Sequence, residues 1–174
     1  MVPSSYNAFF TAIATGAAAL IGLLFVAVSV RDETIFGPKA VAGGSALAIT
    51  AFTGLVNSLL VSLLALIPQD NVGYGAAIIA VVDIVGIIRL HYRLHWARST
   101  ILLSLAVIAY LLQGYYGVYL LIHPHNTNSV NNISYVLFVT LVISLQRAWS
   151  LLEGKHLAVA KAESNGGQGP HTLR

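Results

Sequence analysis

The sequence predicts an all-α fold, an integral membrane bundle of five transmembrane helices. Two observations lead to this class: 57% of the 174 residues are hydrophobic, and only 9% are charged. Soluble domains carry about 25% charged residues, so this chain lacks the charge needed to cover a water-facing surface. The same figures exclude intrinsic disorder over most of the chain. The absence of cysteine excludes a secreted scaffold held together by disulfides.

Five apolar stretches are long enough to cross a membrane, since a spanning helix needs about 20 residues. They cover residues 6–30, 41–67, 72–90, 99–122 and 131–152. The first two contain no charged residue, and the third contains one acid, Asp83. A helical bundle in water is the alternative, but no stretch has the polar face that such helices turn toward solvent.

The ends of the chain are predicted from their composition. A signal peptide begins with basic residues and has a short apolar core. Residues 1–5 contain no lysine or arginine, and the stretch after them is long, so we predict an uncleaved membrane anchor. Residues 1–162 are expected to form one transmembrane domain. The glycine-rich residues 163–174 are expected to form a flexible cytoplasmic tail.

The distribution of basic residues predicts the orientation of the chain. Lysine and arginine are absent from the N-terminal tail and from the segments 68–71 and 123–130. All nine fall on the other side: Arg31, Lys39, Arg89, Arg93, Arg98, Arg147, Lys155, Lys161 and Arg174. Basic residues near span ends stay in the cytoplasm, so the N-terminus is predicted to lie outside and the C-terminus inside. Because the basic residues lie on one side only, the sequence also excludes a protein that inserts into the membrane in both orientations.

Small residues recur at helical spacing in the first two spans. The second span has Ala42, Ala46, Thr50, Gly54, Ser58 and Ser62, one every four residues. The first span has Ala8, Ala12 and Gly16, with Ala14, Ala18 and Gly22 beside them. Membrane helices associate through small residues that allow close contact. Packing within the chain is one interpretation, and a seam between copies of the chain is the other.

Polar side chains are predicted to lie at one depth in the membrane. With a rise of 1.5 Å per residue, Asn57, Asp83 and Gln113 lie about 13–16 Å from the outer end of their spans. Thr15 and Thr140 lie at about the same depth. A central Asp costs about 2.5–3.5 kcal/mol on insertion scales, so Asp83 should face other helices. Its expected partners are Asn57 and Gln113.

Two interpretations of Asp83 remain open at this stage. In the structural one, it is a neutral hydrogen-bonding residue that joins the second, third and fourth spans. In the functional one, it is a proton or cation site, because intramembrane acids often mark transport pathways. A water-filled cavity that reaches Asp83 would favour transport, whereas a closed bundle would oppose it.

Aromatic and basic residues near the predicted cytoplasmic ends of the spans are expected to anchor them at the membrane interface. Trp lies at the headgroup level and Arg meets anionic lipid there. The predicted anchors are Arg89, Arg93, Trp96, Arg98, Arg147 and Trp149.

No motif in the sequence indicates an enzyme, a cofactor or a metal site. His91 and His95 are spaced to share one helix face, but two ligands are too few for a metal centre. The sequence contains no phosphate-binding loop, nucleophile elbow or zincin motif. A net charge of +3 with scattered basic residues does not favour nucleic-acid binding. The predicted partners are the lipid bilayer and either a second copy of the chain or another membrane protein.

The segment Phe9-Phe10-Thr11-Ala12-Ile13-Ala14-Thr15-Gly16-Ala17-Ala18-Ala19-Leu20-Ile21-Gly22-Leu23-Leu24-Phe25-Val26-Ala27-Val28-Ser29 resembles the first span of a group of small multi-pass bacterial membrane proteins of uncharacterised function. The later Ala148-Trp149-Ser150-Leu151-Leu152 is similar to the end of that group's last span. The resemblance implies a location in the bacterial cytoplasmic membrane and supplies no site residues.

Two functions are favoured by these features, and a membrane enzyme is a third alternative that no motif supports. The first is a non-enzymatic bundle that acts through contacts, either as an accessory subunit or by self-association. The alternative is an oligomeric small transporter or channel that uses Asp83 for proton or cation coupling, with Asn57 and Gln113 beside it.

Overall fold

The computed structural model of the protein describes residues 3–30, 44–67, 72–94, 100–124 and 126–166. The described residues form five α-helices after a short 3₁₀ turn, Ser4–Tyr6. The helices are α1 (Asn7–Val30), α2 (Gly44–Ala65), α3 (Val72–Leu94), α4 (Thr100–Ile122) and α5 (Thr127–Gly166). Each is long and apolar enough to cross a membrane, which confirms the predicted all-α, five-span fold class.

The last helix begins earlier than the apolar pattern predicts. The side-chain oxygen of Asn126 accepts a hydrogen bond from the backbone N–H of Asn128, 3.0 Å away, which caps the start of α5. Its first turn is polar, so hydropathy alone places the start at residue 131. The helix then continues to Gly166, past residue 163, where the flexible tail is predicted to begin. Residues 167–174 lie outside the described part of the chain.

The helices pack as a ring of four with one helix outside it. Within the ring, α2 contacts α3, α3 contacts α4, α4 contacts α5, and α5 contacts α2. The remaining helix, α1, packs mainly on α2 and touches α5. Consequently only 22% of the α1 span is buried inside the protein, against 50% for α2.

Apolar side chains close the interior at the end of the ring where α2 ends and α3 begins. The cluster there is formed by Phe10, Val61, Ala65, Val72, Ala76, Leu120, Val130, Ile133 and Leu137. Further along the ring, the buried polar residues Asn57, Asp83 and Gln113 lie between this cluster and two smaller clusters, one around Leu55 and one around Ile87. The centre of the ring is therefore more polar than the apolar clusters on either side of it.

The small-residue ridge of α2 is buried against the rest of the ring. Thr50, Ser58 and Ser62 are at most 5% exposed, and Gly54 is buried as well. This confirms packing within the chain for these four residues, whereas Ala42 and the side chain of Ala46 lie outside the described part. At Gly54 the approach is so close that an added Cβ would overlap Oγ of Ser144 on α5.

Candidate functional site

Asn57 and Asp83 form a hydrogen-bonded pair in the centre of the ring. The Nδ2 amide of Asn57 on α2 donates to Oδ2 of Asp83 on α3, 2.5 Å away. Both side chains are buried, Asn57 at 1% exposure and Asp83 at 7%. The pair joins two helices that run side by side, and its carboxyl group is covered by protein.

Gln113 does not reach Asp83. Its Nε2 amide donates instead to the backbone carbonyl of Ala76 on α3, 3.2 Å away. Ala76 lies seven residues before Asp83, which is about 10 Å along the helix. The close approach of α4 to α3 positions Gln113. The approach is visible one turn further along α4, where an added Cβ at Gly117 would lie 3.0 Å from the carbonyl oxygen of Gly73.

Three buried oxygen atoms in this interior have no hydrogen-bond partner among the described residues. They are Oδ1 of Asn57, Oγ of Ser62 and Oε1 of Gln113. Two of them belong to amides whose nitrogen is already bonded. Each such amide can therefore accept a further hydrogen bond without losing the one that it makes.

The two threonines at the same predicted depth face opposite ways. Thr140 is buried, and its hydroxyl donates to the backbone carbonyl of Val136 on the same helix, 2.8 Å away. Thr15 is exposed on the outer surface of α1. The interior polar groups at mid-depth thus come from the four ring helices.

Tyr110 and Arg147 belong to the polar interior, although sequence reasoning did not place them there. Tyr110 is 2% exposed and lies within electrostatic range of the Asp83 carboxyl and the Arg147 guanidinium. Its hydroxyl is near Gly54, where an added Cβ would lie 3.4 Å from it. Helical spacing could have identified Tyr110, which shares a face of α4 with Ala106 and Gln113.

The sequence predicts Arg147 to be an interfacial anchor, whereas the structure buries its side chain within the protein. It is only 4% exposed and lies inside the bundle, on the face of α5 that carries Thr140 and Ser144. Helix periodicity explains the difference, because the seven residues from Thr140 to Arg147 make two turns and return to the interior face. Arg89 and Trp149 are exposed, so their surroundings suit an anchor.

The other predicted anchors have side chains outside the described part of the protein. Arg93 is part of helix α3, but its side chain lies outside the described part of the protein, as do Trp96 and Arg98.

Asp83 does not line any of three cavities that lie between the described helices. One of about 190 Å³ is a groove between α1 and α2, and one of about 170 Å³ is a groove between α4 and α5. The third, of about 70 Å³, lies between α2, α3, α4 and α5, and its lining includes Tyr110 and Arg147. Both grooves are apolar.

Substitution of Asp83 tests whether its carboxyl group is neutral when it is hydrogen-bonded to Asn57. In Asp83→Asn the new amide can accept from Nδ2 of Asn57 and donate to the unpartnered Oδ1, so we expect stability within about 1 kcal/mol of the wild type. Asp83→Leu removes the acceptor of Nδ2, so that neither polar atom of Asn57 has a partner, and it should cost about 1–2 kcal/mol. Denaturant unfolding of the purified protein in detergent, followed by circular dichroism, measures both. Equal losses in the two variants would contradict the neutral pair.

The fold and the interior define this chain as a multi-pass helical membrane protein with a buried polar centre. Comparison of the chain with protein-family models, with curated proteins and with solved structures gives no match. The resemblance of its first span to small bacterial membrane proteins therefore stays a prediction.

Proposed function

We propose that the protein is a non-enzymatic helical bundle that acts by contacting another transmembrane helix through the outer face of α1. The contacted helix belongs either to a second copy of the chain or to a membrane protein for which this chain is an accessory subunit. The predicted site of action is the bacterial cytoplasmic membrane, with the N-terminus outside.

The observation that carries this proposal is the composition of the exposed face of α1. From Ala8 to Gly22, every exposed residue is Ala, Thr or Gly: Ala8, Thr11, Ala12, Thr15, Ala18, Ala19 and Gly22. An added Cβ at Gly22 would meet no atom within 4 Å, so no other part of the described protein covers this face. Small residues on one face allow a second helix to approach closely.

The exposed faces of the ring helices differ from this face of α1. On α3 the exposed residues include Ile78, Val81 and Val82, and on α4 they include Ile108 and Leu111. These branched side chains provide broad apolar contact with lipid chains. Between Ala8 and Gly22, the outer face of α1 offers little side-chain surface to lipid, but it presents small side chains and two hydroxyl groups to a neighbouring helix. The large apolar side chains that α1 exposes, such as Leu23 and Phe25, come after this part.

Cross-linking from single cysteines in native membranes tests this proposal. The chain has no cysteine, so a photoreactive label on an introduced thiol reports one position. We expect Ala12→Cys, labelled and irradiated, to give a discrete product heavier than the monomer. Ile78→Cys, a position that is 63% exposed on α3, is the matched control and should give monomer only.

The size of the cross-linked product distinguishes the two kinds of partner. A product of twice the chain's mass indicates self-association, and any other discrete mass indicates an accessory role. Failure to cross-link from Ala12→Cys, or equal cross-linking from both positions, would contradict the proposal, since equal yields are what random collision in the membrane produces.

A transporter that uses Asp83 is the second candidate. The observation that favours it is the position of Tyr110, which lies within electrostatic range of Asp83 and also lines the cavity that contains Arg147. Against it, Asp83 itself lines none of the three described cavities. Proton flux into liposomes that contain the protein, lost in Asp83→Asn, would favour this candidate.

A further inference from the structure

Exposed tyrosines on three helices lie at the same end of the bundle. Tyr74 on α3 is 61% exposed, and Tyr135 on α5 is 64% exposed. On α4, the exposed ring of Tyr115 contacts that of Tyr119, which stacks on His123 one turn further along. Tyrosine is enriched at membrane–water interfaces, because its ring is apolar and its hydroxyl needs a polar partner. The exposed tyrosines therefore mark one interface of the membrane.

The close contact between α3 and α4 places their tyrosines at one level. An added Cβ at Gly117 on α4 would lie 2.9 Å from the backbone nitrogen of Ala77 on α3, so these two positions share a level. Tyr74 is three residues from Ala77, and Tyr115 and Tyr119 are each two residues from Gly117. The three tyrosines thus lie within about one and a half helical turns of one another.

Contacts of α2 place α3 and α5 on a common scale. Asn57 on α2 is bonded to Asp83 on α3. The two helices are successive spans and run in opposite directions, so Gly54 lies level with Gly86, each three residues from the bonded pair. Gly54 also meets Ser144 on α5, where an added Cβ would overlap its Oγ. Gly86 and Ser144 therefore lie at one level.

The opposite interface is marked on the same two helices. From the common level, Arg89 lies three residues further along α3, and Trp149 lies five residues further along α5. Both side chains are exposed, and both residue types are found at the headgroup level. The exposed Gln146 on α5 lies within one residue of the level of Arg89. The lipid-facing surface therefore becomes polar at this level on both helices.

The apolar band between the two interfaces is short. On α3, Tyr74 and Arg89 are about 22 Å apart along the helix, and Asp83 lies about 2 Å from the middle of this band. On α5, Tyr135 and Trp149 are about 21 Å apart. A typical hydrocarbon core is about 30 Å thick, and any tilt of a helix reduces the thickness that it spans. The band is therefore about 8 Å too short for such a core.

Helix α1 differs from this side of the bundle. From Ala8 to Val30 it has no charged residue, no Tyr and no Trp, over a length of about 33 Å. This length fits a full hydrocarbon core. Because α1 packs mainly on α2, the long apolar surface and the short band lie on different sides of the bundle.

We propose that the side of the bundle formed by α3, α4 and α5 binds phospholipids with short acyl chains, in a locally thinned bilayer. A span shorter than the surrounding hydrocarbon is accommodated by thinning of the bilayer, and short chains lower the cost of that thinning. The proposal does not depend on the proposed function, which assigns helix contact to the outer face of α1.

Quenching of tryptophan fluorescence by brominated lipid measures this preference. The chain has two tryptophans, so Trp96→Phe leaves only Trp149, which is 65% exposed on the band side. A brominated eighteen-carbon phosphatidylcholine competes for contact with Trp149 against unlabelled phosphatidylcholines whose chains have fourteen, eighteen or twenty-two carbons. We expect the fourteen-carbon lipid to bind about threefold more tightly than the twenty-two-carbon lipid, with the eighteen-carbon lipid between them.

Two substitutions on α5 test whether the position of the tyrosine sets the preference. In the Trp96→Phe background, Tyr135→Leu removes the anchor at one end of the band and lengthens its apolar surface, so the preference for short chains should decrease. Phe138→Leu, a change at a 50% exposed position inside the band, is the matched control and should keep the preference.

The three-lipid series is decisive even if Tyr135→Leu fails to fold. Equal binding of the three lipids, tightest binding of the eighteen- or twenty-two-carbon lipid, or absence of quenching at Trp149 would each overturn the proposal. So would an unchanged preference in Tyr135→Leu, or equal decreases in Tyr135→Leu and Phe138→Leu.

Discussion

Gly117→Ala is expected to destabilise the protein by about 2–3 kcal/mol through overpacking. An added Cβ would lie 2.9 Å from the backbone nitrogen of Ala77 and 3.0 Å from the carbonyl oxygen of Gly73. Both atoms belong to the backbone of α3, so no side-chain rotation relieves the contact, and the two helices must separate. That separation also lengthens the hydrogen bond from Gln113 to Ala76.

Gly114→Ala is the matched control on the same helix. Its added Cβ would lie 3.5 Å from Cβ of Ala80, which is an ordinary contact, and alanine favours a helix over glycine. We expect Gly114→Ala to be neutral or slightly stabilising. Unfolding of both variants in detergent gives the comparison, and similar stabilities would show that α3 and α4 do not approach as closely as described.

Gly54→Ala is expected to cost about 1–3 kcal/mol, for a different physical reason. The added Cβ would overlap Oγ of Ser144, whose hydroxyl donates to the backbone carbonyl of Thr140, 2.8 Å away. Relief requires Ser144 to rotate and lose this bond, while the Tyr110 hydroxyl occupies nearby space. The measurement is the same detergent unfolding.

Ser144→Ala should rescue Gly54→Ala, because it removes the overlapping atom. With the hydroxyl gone, the nearest atom is Cβ of residue 144 at 3.3 Å, a tight but tolerable distance. We expect a coupling energy of about 1 kcal/mol or more in the double-mutant cycle. Additive effects of the two substitutions would mean that Gly54 and Ser144 do not meet.

Much of the fold follows from the sequence because lipid imposes a simple rule on the chain. A spanning segment must satisfy its backbone internally, so a long apolar stretch has to be a helix. The end of the fourth span at Ile122 was predictable for this reason. The start of α5 was not predictable in this way. Its first turn is polar, and the cap at Asn126, not apolarity, defines where the helix begins.

The polar interior was only partly predictable, because depth along a helix does not specify the direction of a side chain. Depth brings Asn57 and Asp83 to one level, and the structure pairs them. The same argument places Gln113 there, but the α3–α4 contact directs it to Ala76. For Arg147, charge predicts an interfacial position, whereas its register with Ser144 directs it inward. Side-chain direction depends on which helices are neighbours, and one sequence does not give that.

The number of chains held together through α1 is the most direct test of the account. Polymer discs extracted from the native membrane keep lateral neighbours, and mass spectrometry of their protein content counts them. We predict more than one polypeptide per disc for the wild type, and one for Ala12→Leu, whose bulk prevents close helix approach. Ile78→Leu should leave the assembly unchanged. A single polypeptide in wild-type discs, or an assembly that survives Ala12→Leu, would contradict the account.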